Sequence, residues 1–150
     1  MDSYTAELAR KEFEQAEIAL KRDDILAALG CLERALAIWD DPHWHSRFGY
    51  CVAKERGHLT QAFELCKSAI SHDPGNPLHY LYLGKVHLLA AQKYEALHAL
   101  RQGMTLGSLP EIENTLAAIG ARKPPVIRFL ARDNRLNKYL GIIMARLGLR

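Results

Sequence analysis

The sequence has no long apolar run and little capacity for covalent cross-linking. None of its hydrophobic stretches approaches the roughly 18 to 20 residues needed to span a bilayer, and the N-terminal MDSYTAELARKEFEQAE is charged where a secretory leader would be apolar. Its three cysteines, Cys31, Cys51 and Cys66, are odd in number and widely spaced, which argues against a disulfide framework. We therefore expect a cytoplasmic protein with free, mostly buried thiols.

The sequence also lacks the short motifs of common catalytic and cofactor sites. There is no phosphate-binding Gly-x-x-x-x-Gly-Lys-Ser/Thr loop, no Gly-x-Ser-x-Gly elbow, no His-Glu-x-x-His run and no Cys-x-x-Cys pair. His79 and His87 are eight residues apart, too far to share a metal directly, and His43 and His45 lie at a junction between segments. We expect no enzyme, no cofactor and no metal site, and we assign the histidines structural or surface roles.

The balance of charge differs between the body of the chain and its C-terminal segment. Residues 1–108 carry 12 basic and 14 acidic residues, whereas residues 109–150 carry 8 basic and 3 acidic residues. The basic tail would suit an acidic partner. Because the basic residues are few and the body is slightly acidic, nucleic acid and membrane are disfavoured as partners.

What the sequence does contain is an internal repeat with a period of 34 residues. Within each copy the repeated positions follow the spacing i, i+1, i+4, i+7 and i+8, which places them on one face of a helix. The equivalent residues of the three copies form five columns. Two of these columns contain only small residues, so a neighbouring helix can approach closely there. The five columns are Ala28, Ala62 and Ala96; Leu29, Phe63 and Leu97; Leu32, Cys66 and Leu100; Ala35, Ala69 and Gly103; and Leu36, Ile70 and Met104.

A second helix is predicted before each of these repeated helices. Pro42 and Pro77 stand at the start of two of them, where proline fits the first turn of a helix. Gly49 and Gly84 occupy matching positions, and Ala16 takes that place in the first copy. We expect the small residue there to permit close helix approach.

Helix pairs of this length, with an aromatic residue, a leucine-glycine pair, alanines and a junction proline, resemble tetratricopeptide repeats. The residues that carry the resemblance best are Tyr80, Leu83, Gly84, Ala96 and Leu100. The resemblance, which also suggests a small bacterial protein, implies an all-α fold: a right-handed superhelical array of antiparallel helix pairs. The predicted organisation is a repeat domain over residues 1–121, with repeats at about 8–42, 43–76 and 77–108 and an extra helix at 109–120, followed by a basic extension over 122–150.

In such an array the first helices of the pairs line a concave surface, which implies an interaction module or scaffold that binds a peptide or helix of another protein. Phe13 and Tyr50 are expected to anchor the partner, and Glu17 and Lys85 to set its polarity. The predicted partner-binding residues are Phe13, Glu17, Ser46, Tyr50, Leu81, Lys85 and Leu88.

The C-terminal segment predicts an amphipathic helix outside the 34-residue period. Its apolar stripe comprises Leu136, Tyr139, Leu140, Ile143 and Leu147. Three interpretations remain open: the helix caps the array, it docks on a partner or on a second copy to form a homo-oligomer, or it lies on an anionic membrane. The alternative to a binding module is therefore a structural protein that self-associates through this helix.

Overall fold

The computed structural model describes residues 3–120, and these residues form helices with no strand among them, as the sequence predicts. No helix in this part of the chain combines the length and apolarity needed to cross a membrane. The helices are α1 (Ser3–Lys21), α2 (Ile25–Ile38), α3 (His45–Arg56), α4 (Leu59–His72), α5 (Pro77–Leu89), α6 (Lys93–Leu106) and α7 (Pro110–Gly120), and a 3-10 turn (Pro42–Trp44) leads into α3.

The chain divides into two compact units, Met1–Asn114 and Thr115–Arg150. In the first unit α1 packs on α2, α3 on α4 and α5 on α6, and successive pairs meet through contacts of α3 with α2 and of α5 with α3 and α4. The described residues of the second unit are 115–120, the C-terminal part of α7. The predicted basic extension and its apolar stripe lie outside the described residues.

The second helices, α2, α4 and α6, supply the repeated core. The alanine column is fully buried in all three copies, as is the column that contains Leu32, Cys66 and Leu100. The second column of small residues, Ala35, Ala69 and Gly103, is buried as well. The 34-residue period therefore identifies the centre of the buried face correctly, but the column of Leu36, Ile70 and Met104 lies at its edge, where Met104 is 45% exposed.

Close approach of paired helices depends on the glycines of the first helices, as predicted. A Cβ atom added at Gly84 would lie 2.7 Å from Cγ of Leu100, and one at Gly49 would lie 2.8 Å from the backbone oxygen of Ala62. Both distances are shorter than van der Waals contact allows. A side chain at either position would push the two helices of the pair apart.

Side chains cap the N-termini of α2 and α5. Asp24 caps α2 by accepting a hydrogen bond from the Ala27 backbone N–H at 3.1 Å. Asn76 caps α5 in the same way through the Leu78 N–H. Helix α4 begins at Leu59, and its N-cap residue, His58, makes no capping hydrogen bond through its side chain. Gly57, in the left-handed conformation (φ 68°), ends α3.

The three thiols should differ sharply in reactivity. All are free; Cys51 and Cys66 are fully buried and Cys31 is half-buried. Burial raises the pKa of both Cys51 and Cys66 to about 12, so these thiols stay protonated at pH 8 and react poorly because the thiolate is the nucleophile.

We therefore expect native protein treated with a thiol reagent at pH 8 to be labelled at Cys31, with Cys51 and Cys66 labelled only after unfolding. Peptide mass spectrometry before and after addition of denaturant measures this. Prompt native labelling of Cys66 would contradict the described packing.

Candidate interaction surface

The first helices α1, α3 and α5 meet through two layers of side chains that recur from one interface to the next. With Ala16, Gly49 and Gly84 taken as equivalent, Phe13 corresponds to Ser46, and Trp44 corresponds to His79. The two interfaces use these positions differently. Phe13 stacks on Trp44 with ring centroids 4.8 Å apart, whereas Ser46 Oγ hydrogen bonds to His79 Nδ1 at 2.9 Å.

The second layer holds a charged pair at one interface and an aromatic pair at the other. Between α1 and α3 the Arg47 guanidinium forms an ion pair with the Glu17 carboxylate. Between α3 and α5 the equivalent positions are Tyr50 and Tyr82, whose rings lie 5.6 Å apart at an angle of 42°. Lys85 is the next repeat equivalent of Glu17 and Tyr50. We use the name inner row for the continuous row formed by Glu17, Arg47, Tyr50, Tyr82 and Lys85.

Arg47 is the most constrained member of the inner row. It is only 8% exposed, although it is charged. Its guanidinium carbon lies 5.2 Å from the centroid of the Phe13 ring and 5.7 Å from that of Tyr82, and Nη1 donates to the His43 carbonyl at 3.3 Å. The carboxylate and the two aromatic faces together replace the water that the guanidinium loses on burial.

Lys85 lies at the other end of the inner row, next to two aromatic rings. Its Nζ lies 5.3 Å from the Tyr50 centroid and 5.2 Å from the Tyr82 centroid. Burial lowers the pKa of Lys85, against the opposing effect of Glu111. Burial also raises the pKa of Tyr50 and of Tyr82, so both phenols remain neutral near neutral pH.

Five of the seven sequence-predicted partner-binding residues retain exposed surface. These are Phe13, Glu17, Tyr50, Lys85 and Leu88, which are half-buried. Ser46 and Leu81 have no exposed surface. Their expected position on a partner-facing surface is corrected: Ser46 is enclosed because its hydroxyl bonds His79 between α3 and α5, and we do not include either residue in the proposed surface.

Sequence reasoning missed three residues that complete the site, namely Arg47, Tyr82 and Trp44. Arg47 and Tyr82 each lie three residues before a predicted position, so they point to the same side of their helices, whereas Trp44 lies in the 3-10 turn and has no such spacing. Arg47 precedes Tyr50 by three residues and Tyr82 precedes Lys85 by three. A search for a basic partner of Glu17 at this spacing on the next first helix would have found Arg47.

An open aromatic cleft adjoins the inner row at the N-terminal half of α1. It encloses about 780 Å³, and Phe13, Trp39 and Trp44 form its apolar part. Trp39 is 39% exposed there. The polar residues around the cleft are mainly acidic: Glu7, Glu14 and Asp41, with Arg10 and Ser3.

Comparisons with known proteins agree with this architecture at the level of the fold. No family model matches the sequence, and a search of curated proteins finds no match. Among solved structures, the chain is similar to the Sgt2 TPR domain from Aspergillus fumigatus, with a TM-score of 0.59 and 18% sequence identity over 85% of this chain and 93% of that one. The described part of the chain therefore has the fold of a tetratricopeptide repeat domain.

Proposed function

We propose that this protein is a cytoplasmic, non-enzymatic interaction module that binds a peptide or helix of another protein across the inner row. The observation that carries the proposal is the setting of Tyr50 and Lys85 on the exposed part of this row. Both side chains are held by neighbours before any partner arrives, so binding would cost little side-chain entropy. The free thiols support a cytoplasmic location. The fold shared with the solved Sgt2 TPR domain supports an interaction module.

The residues of the inner row also indicate what the partner would contact. Glu17 is already paired with Arg47, so it offers little free negative charge. Lys54 donates to Asp23 at 2.9 Å, whereas Lys85 is held mainly by aromatic rings. We infer that a partner places an apolar or aromatic side chain beside Tyr50 and in the neighbouring aromatic cleft, and an acidic or carbonyl group near Lys85.

The Tyr50→Ala substitution tests this proposal. Aromatic residues at the centre of an interface typically contribute about 2 kcal/mol, so the dissociation constant for a bound peptide should rise about 30-fold. The full chain would be immobilised to capture partners from a native extract, and the affinity of peptides from the captured proteins would then be measured by calorimetry. Wild type and Tyr50→Ala should show equal helicity by circular dichroism.

The matched control is Tyr94→Ala, because Tyr94 is 79% exposed on α6, outside the inner row. This variant should bind with wild-type affinity. If Tyr50→Ala binds the same peptides as tightly as Tyr94→Ala does, the inner row is not the binding surface. The alternative, self-association through residues 126–147, rests on residues outside the described range and remains a prediction.

A further inference from the structure

Three potential metal ligands lie close together at the junction between the second and third helix pairs. His43 lies in the 3-10 turn before α3, Asp73 follows the end of α4, and His79 lies in the first turn of α5. One ligand atom from each of them lies within 4.8 Å of the others. The distance from His43 Nδ1 to Asp73 Oδ2 is 3.6 Å. The sequence could not reveal this group, since 36 residues separate the two histidines.

Local hydrogen bonds hold the backbone of each of these residues, since the Asp73 N–H donates to the Ala69 carbonyl at 2.9 Å and the His79 N–H to the Asn76 carbonyl at 3.2 Å. The His43 N–H donates to Asp41 Oδ1 at 2.9 Å. The loop after Asp73 is fixed by the Tyr80 hydroxyl, which donates to the Pro74 carbonyl at 3.1 Å. The convergence therefore arises from three ordered helix ends and does not depend on long flexible side chains.

His79 has an unused nitrogen inside the protein. Its side chain is fully buried, and Nδ1 is engaged by the Ser46 hydroxyl, but among the described residues Nε2 has no hydrogen-bond partner. An unpaired buried polar atom costs about 1 to 3 kcal/mol and calls for an explanation.

We propose that His43, Asp73 and His79 bind a divalent transition-metal ion of the zinc class. Two imidazoles and one carboxylate form a ligand set that zinc accepts, with a fourth position left for water. If Nδ1 of His79 donates to Ser46, Nε2 presents a lone pair, which is how an outer hydrogen bond usually orients a metal-binding histidine. The ion would tie the entrance of α3 to the junction between α4 and α5.

The remaining distances can close without disturbing the core. Ligands bound at about 2.0 Å in a tetrahedron stand about 3.3 Å apart, so the group must contract by roughly 1.5 Å. The His43 and Asp73 side chains are 47% and 36% exposed, so both can move toward the buried His79. The Arg47 guanidinium, which donates to the His43 carbonyl beside the group, is paired with the Glu17 carboxylate.

Titration of the metal-free full chain with Zn²⁺ tests the proposal. The protein would be prepared without a histidine tag and with Cys31→Ser, which removes the half-buried thiol as a competing ligand. Calorimetry should show one Zn²⁺ per chain, and Zn²⁺ should raise the unfolding temperature because it binds the folded state. Co²⁺ should give the visible absorption of a site with nitrogen and oxygen ligands.

The surface ligands provide the decisive variants, because His79→Ala could unfold the protein. His43→Ala and Asp73→Asn should each weaken Zn²⁺ binding at least tenfold and abolish the rise in unfolding temperature. His98→Ala, which removes an exposed histidine on α6, should bind Zn²⁺ as the parent does. Failure of the parent protein to bind Zn²⁺, or binding that survives both His43→Ala and Asp73→Asn, would overturn the proposal.

Discussion

Replacing Glu17 by leucine will lower the free energy of unfolding by about 2 to 4 kcal/mol, because it leaves the buried Arg47 guanidinium without its carboxylate. The Arg47 side chain is 10% exposed, so water cannot restore its solvation fully. We place the effect below the upper range for buried pairs because the Glu17 side chain is 32% exposed and the aromatic faces of Phe13 and Tyr82 remain. Urea denaturation followed by far-ultraviolet circular dichroism measures the change.

A double variant distinguishes the stability lost with the ion pair from the stability lost with side-chain packing. In the double variant Glu17→Leu with Arg47→Met no charge remains buried, so at least half of the lost stability should return. The matched control is Glu14→Leu, one turn earlier on α1, which breaks the exposed Arg10–Glu14 pair and should change stability by less than about 0.5 kcal/mol. Equal losses in the single and double variants would mean that the charge itself is not what Glu17 stabilises.

Gly49→Val should lower the free energy of unfolding by about 3 kcal/mol, since its Cβ would lie 2.8 Å from the Ala62 backbone oxygen and 3.1 Å from the Leu65 Cβ. A backbone oxygen inside a helix cannot swing aside as a side chain can, so α4 as a whole must move. Gly49→Ala should cost about 1 kcal/mol, because better helix propensity offsets part of the overpacking. The same urea denaturation experiment measures both variants.

Gly30 provides the matched control for Gly49. It also lies inside a helix, but a Cβ atom there would meet only the end of the Arg34 side chain, at 3.5 Å. Gly30→Ala should therefore stabilise the protein by about 0.5 to 1 kcal/mol. If the two alanine substitutions change stability with the same sign, close helix approach does not explain the glycine at position 49.

The centre of the buried face of the second helices could be predicted from the sequence. Their inward face must satisfy one requirement, close packing against a neighbouring helix, and small or apolar side chains satisfy it at the same positions in every copy. The same position is alanine in all three copies, and these residues, Ala28, Ala62 and Ala96, are fully buried. A period of 34 residues is sufficient to locate such a face.

The inner row was harder to predict because equivalent positions there carry different chemistry. Glu17, Tyr50 and Lys85 occupy the same place in three copies, and their contacts depend on whether Arg47 or Tyr82 stands opposite. A periodic pattern identifies the positions but not the pairing of side chains across helices. It also gave no sign that Ser46 would be enclosed by His79, since a short hydroxyl side chain is compatible with either the surface or the interior.

The α1–α3 and α3–α5 interfaces use different side-chain pairs, and this difference fixes the order of the repeats. If a second copy of the α3–α4 pair were inserted after the first, its Arg47 would face Tyr50 of the preceding copy in place of Glu17, and its Trp44 would face Ser46 in place of Phe13. The inserted guanidinium would then be buried without a carboxylate. The array therefore cannot be lengthened by simple duplication, and any change in repeat number would require compensating substitutions at these facing positions.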